Sequence, residues 1–151
     1  MLTTATMSLE RREAIVDIAR RFDLTLVEDG VFFLDAYGGY ESYRVTKERT
    51  KFKGFTYIWD QATFNPVDSL MDCHIHFEFP DGSRLNKAFR YDWRLWTIPE
   101  LRDLLQEVGF GEVTCLWEGT DRETNEGNGI YRPASSAPDD PAYVSYLVAA
   151  K

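Results

Sequence analysis

The chain has 151 residues, a length that suits one domain. Hydrophobic residues make up 44% and aromatics 15%, which is too much apolar area for a disordered tail. The 17 basic residues face 25 acidic ones, and the net charge of −8 excludes a general phosphate-backbone binder, which needs excess Lys and Arg to displace counterions.

Ser8 predicts the cap of a helix over residues 9–22, its hydroxyl accepting from an unpaired N–H of the first turn. Ile15, Ile18, Ala19 and Phe22 recur at helical spacing and form one apolar stripe. Arg11, Arg12, Glu13, Asp17, Arg20 and Arg21 largely cover the other side. Asp29-Gly30 marks a turn into Val31-Phe-Phe-Leu34, an apolar run without polar alternation. Such a run is expected to be a strand covered on both faces, as in the parallel sheet of an α/β fold. It ends at Asp35, before Ala36-Tyr37-Gly38-Gly39.

Residues 55–64, 72–79 and 84–91 are rich in aromatic and β-branched side chains. Asn65-Pro66 breaks the first pair, and Pro80-Asp81-Gly82-Ser83 is a tight-turn sequence between the second pair. They predict an antiparallel meander inserted over residues 45–91. Thr97-Ile98-Pro99-Glu100 then fits a capping box, with proline in the first turn, where its missing N–H costs nothing. Leu101, Leu104, Leu105 and Val108 make the helix stripe, and Gly109 stands where a left-handed cap is expected. Residues 113–117 read as a strand, 119–141 as a long loop and 143–149 as a final strand. The order predicts an α/β fold in a single domain over residues 1–151, with the antiparallel insertion within it.

The N-terminus has no basic stretch followed by an apolar run, so a signal peptide is not expected. No stretch approaches the roughly 20 apolar residues that span a bilayer. The expected compartment is the cytoplasm, with no membrane partner, and Cys73 and Cys115 are expected as reduced strand residues.

Several of these segments resemble a known family. Val31-Phe-Phe-Leu-Asp-Ala-Tyr-Gly-Gly39 resembles the fifth strand of a class I S-adenosylmethionine-dependent methyltransferase. Tyr57-Ile-Trp-Asp-Gln61, His74-Ile-His-Phe77 and Ala88-Phe-Arg-Tyr-Asp-Trp-Arg-Leu-Trp96 are similar to a subfamily with a β-insertion after that strand. Thr97-Ile-Pro-Glu-Leu101 through Glu107-Val-Gly-Phe110 resembles the family's late helix, and Val113-Thr-Cys-Leu-Trp-Glu-Gly119 its sixth strand. Tyr143-Val-Ser-Tyr-Leu-Val148 resembles the seventh strand, which pairs antiparallel between the fifth and sixth. The resemblance implies a partial Rossmann-like sheet, strands five to seven, with S-adenosylmethionine as cofactor and a small-molecule methyl acceptor.

The family's glycine-rich cofactor loop has no match here. A glycine loop lets backbone N–H groups approach the ligand closely, which a side chain would prevent. Gly109-Phe-Gly111 lacks a third glycine at 113 or 114, and Gly127-Asn-Gly129 lies in a late loop. No cofactor-binding residue is therefore assigned. The expectation is the C-terminal part of a methyltransferase, a truncated domain incomplete on its own. Its strand 31–35 would leave an edge open to self-association or to a complementing N-terminal half. The alternative is a stand-alone α+β module that binds a small ligand or a partner without catalysis.

If ligands bind beyond the carboxyl ends of the strands, Asp35, Tyr37, Gly38 and Gly39 face the site; otherwise they form a polar strand end and a turn. Tyr57, Trp59, Tyr91, Trp93, Arg94 and Trp96 either wall a substrate pocket or fill the seam beside the meander. Strand alternation lets only part of this set face one pocket. Arg94 can hold a substrate carboxylate or pair with Asp92 or Glu100. His74 and His76 share a strand face while Cys73 points the other way, so no metal is assigned; the alternatives are strand filling or a pH-sensitive base. Asp35, Asp60 and His76 are all conceivable bases, and no catalytic residue is assigned.

Overall fold

β1 (Val31–Gly38) is the first strand of the computed structural model, which describes residues 30–150 together with Asp17. The helix expected over residues 9–22 lies, Asp17 aside, outside the described residues. The strands β2 (Thr46–Phe52), β3 (Phe55–Asn65), β4 (Leu70–Glu78) and β5 (Arg84–Arg94) follow, then the helix α1 (Ile98–Glu107). The strands β6 (Glu112–Thr120), β7 (Gly127–Pro133) and β8 (Tyr143–Ala150) close the order. The chain divides into two units, Tyr43–Leu95 and the residues on either side of it.

The unit Tyr43–Leu95 is a four-stranded sheet in the order β2-β3-β4-β5. Each strand pairs antiparallel with the next, so the segment expected as a meander is one, with β2 added at its edge. Alternation separates two faces. Tyr57, Trp59, Phe77, Tyr91 and Trp93 share one face through the pairs Tyr57↔Phe77, Cys73↔Tyr91 and Met71↔Trp93. Ile58, Asp60, His74, His76 and Arg90 share the other. The register shifts between Gln61 and Thr63, and again between Ile75 and Phe77. Opposite the second shift, Lys87 takes a left-handed φ of 50°.

In the other unit the sheet order is β1-β8-β6-β7. β8 lies between β1 and β6 and is antiparallel to both, the placement the resemblance implies for its last strand. α1 packs on one face, with Leu101, Leu104, Leu105 and Val108 buried against Ala36, Cys115, Leu147 and Ala149. Both helix ends follow from local chemistry. The Thr97 N–H donates to Glu100 Oε2 at 2.8 Å, and the Glu100 N–H returns to Thr97 Oγ1 at 3.3 Å. At the other end Gly109 has φ +113°. Its N–H donates to Gln106 O at 3.1 Å, and the Phe110 N–H donates to Leu105 O at 3.2 Å, which is the Schellman arrangement.

The expected α/β class, a partial Rossmann-like sheet, is not the fold found. Every ladder among the described residues is antiparallel, and one helix is bounded. The run Val31-Phe-Phe-Leu34 misled because an apolar residue at every position carries no facial signal. Phe32 and Leu34 pack on the core side, whereas Val31 is 50% and Phe33 59% exposed on the other face. Among the described residues the strand is thus covered on one face, and its partner β8 runs antiparallel. It also continues past Asp35 to Gly38. The expected loop 119–141 contains β7, and β2 was not expected as a strand. No helix among the described residues is long and apolar enough to cross a membrane.

Candidate functional site

The carboxyl ends of β1 and β6 and the start of β8 converge, in the unit that carries α1, on a cavity of about 840 Å³. Residues 138–142 wall one side, and backbone bonds tie that segment to the end of β1. The Tyr40 N–H donates to Asp140 O at 3.2 Å and the Glu41 N–H to Pro141 O at 2.9 Å. The approach is close enough to demand glycine: Gly39 has φ +116°, and a Cβ there would run into the Pro141 carbonyl. Gly38 is buried beneath the Tyr143 phenol.

The β6–β7 hairpin walls another side. Asp121 holds its turn by accepting from the N–H groups of Glu123 at 2.8 Å and Thr124 at 3.0 Å. Those bonds hold the Asp121 carboxyl below its ordinary range. Glu118, on β6, faces Tyr131 across the hairpin. Glu118 Oε1 accepts from the Gly129 N–H at 2.7 Å, and the Tyr131 hydroxyl donates to Glu118 Oε2 at 3.3 Å. Burial and the nearby Glu118 and Tyr146 push the Tyr131 phenol up, so it stays a donor at neutral pH. Trp117 and Tyr143 contact each other with ring centroids 4.5 Å apart.

The candidates chosen from sequence divide between the units. Tyr37 lines the cavity and Gly38 supports Tyr143, but Asp35 stands exposed on the open face of β1, opposite Tyr146, outside the lining. Tyr57, Trp59, Tyr91, Trp93 and Arg94 belong to the unit Tyr43–Leu95. There Tyr91 and Trp93 lie 4.7 Å apart, each 6.1 Å from Trp59, and Trp59 Nε1 donates to Gln61 Oε1 at 3.3 Å. Tyr57 stands 6.1 Å from Phe77, and burial, Tyr91 and Glu48 push its phenol up. Arg94 ends β5 opposite Leu70. Trp96 falls in the other unit and packs against its core. Trp117, Glu118, Tyr131 and Tyr143 were missed as lining residues. The strand-end rule applied to Asp35 would have selected Trp117 and Glu118 at the end of β6.

The polar face of the Tyr43–Leu95 sheet holds a second cluster. Ligand atoms of Asp60, His74 and His76 lie within 4.8 Å of one another. The Lys87 N–H donates to His76 Nδ1 at 3.1 Å, which places the neutral ring's proton on Nε2, 3.1 Å from Asp60 Oδ2. Lys47 Nζ also lies 2.9 Å from Asp60 Oδ2. Coordination through His76 Nε2 would displace that proton and compete with Lys47. The cluster therefore reads as a hydrogen-bonded network with Asp60 as shared acceptor. His74 is 2% exposed and neither ring nitrogen is hydrogen-bonded, although Asp72 Oδ2 lies 3.4 Å from Nε2.

No protein-family model and no curated protein matches the chain. Solved structures do. An S-adenosylmethionine-dependent methyltransferase from Clostridium acetobutylicum is similar over 91% of this chain and 51% of its own, with TM-score 0.55 and 15% identity. The CcbJ methyltransferase from Streptomyces caelestis is similar over 90% of this chain and 53% of its own, with TM-score 0.56 and 14% identity. At that identity the likeness is one of fold alone. The chain spans about half the length of either structure.

Proposed function

We propose that this chain supplies the substrate side of an S-adenosylmethionine-dependent methyltransferase that acts on a small molecule. The observation that carries the reading is the fold likeness of about nine-tenths of the chain to half of each of two such enzymes. The cavity beside Trp117 and Glu118 is the acceptor's place in this reading. An 840 Å³ space falls within the ordinary range for small-molecule sites.

The described residues do not fit the cofactor. Gly109 and Gly111 follow a helix end instead of opening a helix, and Gly127 and Gly129 sit in an edge strand. Neither pair offers a row of free N–H groups at a helix N-terminus. The cofactor cradle is therefore assigned to residues outside those described, and no chemical step is derived through it. The chain's own contribution is to hold the acceptor and keep water from it.

The test has two arms. Isothermal titration of S-adenosylmethionine into the 151-residue chain should show no micromolar binding. Co-expression with the coding sequence immediately upstream should then give transfer of labelled methyl to small-molecule acceptors. Micromolar binding by the chain alone would overturn the division of labour, and absence of transfer on co-expression would overturn the methyltransferase reading. Ligand binding without transfer would favour a stand-alone binding module, which the location of the cavity wholly within one unit also supports.

A further inference from the structure

We infer that the cavity at the carboxyl ends of β1 and β6 binds an organic cation, an ammonium or quaternary ammonium carrying apolar groups. Its ligand class follows from its walls, whether or not the chain takes part in methyl transfer.

Four aromatic residues line it, two from each face of the sheet end: Tyr37 and Tyr131 lie on the face of Glu118, and Trp117 and Tyr143 on the face that packs α1. An aromatic face carries partial negative charge and attracts a cation while covering its apolar substituents. Every charged lining residue is acidic: Glu118, Glu126, Asp139 and Asp140. No Lys, Arg or His is among them. Low-dielectric walls around charges of one sign focus the field, raising the local concentration of cations and repelling anions.

Glu118 is the anchor because its carboxylate is already oriented. One oxygen is fixed by the Gly129 N–H and the other by the Tyr131 hydroxyl. Gly127 lies directly beneath the carboxylate, where a Cβ would displace it. An ionised carboxylate accepts at about four positions, so bonding capacity remains for an ammonium. The fixed orientation spares the ligand the entropy of ordering a long side chain.

The experiment is isothermal titration of the 151-residue chain with matched probes. Choline is compared with its neutral carbon isostere, 3,3-dimethylbutan-1-ol, and tryptamine with indole-3-acetate. At least one cation should bind about tenfold or more tighter than its counterpart, the size of a single desolvated cation–aromatic contact. Glu118→Gln should weaken cation binding about tenfold and leave the neutral isostere unchanged. Tyr37→Leu should weaken the cation as well, and it covers the case in which Glu118→Gln fails to fold, as judged by thermal melting. Equal affinity for cation and counterpart, or no heat from either cation, would overturn the assignment.

Discussion

The Asp60 carboxyl is pulled in two directions. Burial pushes its pKa up, but hydrogen bonds from Lys47 and His76 and their charges outweigh that, and the net position is below the ordinary value. A folded pKa below the unfolded one contributes stability that is present above the unfolded pKa. That stability is lost as pH falls through the folded pKa. The window therefore lies at and below about pH 4, where free carboxylates titrate. Asp60→Asn should lower stability at neutral pH by about 1.5–3 kcal/mol, the range for a hydrogen bond to a charged group. The gap between variant and wild type should narrow on acidification. Thermal melts across that range check it, and a gap independent of pH would remove the carboxylate's charge from the account. Cys73 shows the opposite shift. Burial, then Asp72 and Asp60, push its thiol up to about 11. Burial raises Cys115 too. Both cysteines are free and buried, so neither should react quickly with a disulfide reagent in the native chain, and both should react once denaturant is added. Rapid native reaction of either would contradict this.

At the scale of elements, legibility followed locality. α1 was readable because its cap, stripe and terminating glycine lie within thirteen consecutive positions, Thr97 to Gly109. Thr97→Ala should cost about 1 kcal/mol, since the Glu100 N–H loses its acceptor. Gly109→Ala should cost about 1–3 kcal/mol, because φ +113° is strained for any residue with a Cβ. Denaturant midpoints with unchanged slope would establish both values. The strands missed in the sequence, β2 and β7, both lie at sheet edges. β2 reads Thr-Lys-Glu-Arg-Thr-Lys-Phe and is exposed along nearly its whole length. Charge on an edge strand hinders pairing with another chain, and it also erases the apolar alternation by which strands are recognised. β7 reads Gly-Asn-Gly-Ile-Tyr-Arg-Pro, whose glycines and terminal proline signal a turn and suit an edge. Missing β7 hid the cavity, because Tyr131 and the bond that fixes Glu118 belong to that hairpin.

At the scale of the whole molecule, the direction of a strand cannot be read from its own residues. Val31-Phe-Phe-Leu34 suits a parallel or an antiparallel neighbour equally, and only the partner β8 decides. The position of β8 between β1 and β6 came from resemblance to a family, not from periodicity. Among the described residues β1 pairs on one side only, and its open face presents Val31 and Phe33. Unlike β2, with its four charged residues, β1 carries one, Asp35, which leaves residues 31–34 without a charge to oppose strand addition. We propose that this edge receives a second copy of the chain. Light scattering after size exclusion should show the chain associating as its concentration rises. Phe33→Lys should shift it to monomer, since a lysine on an edge strand opposes pairing along that edge, while the melting temperature at low concentration stays near wild type because Phe33 is 59% exposed. A wild-type chain that stays monomeric at every concentration would exclude self-pairing. Complementation would then be left as the edge's role, to be read by titrating in the separately expressed upstream part. If that part also fails to bind, or binds Phe33→Lys as well as wild type, the edge is not a docking site.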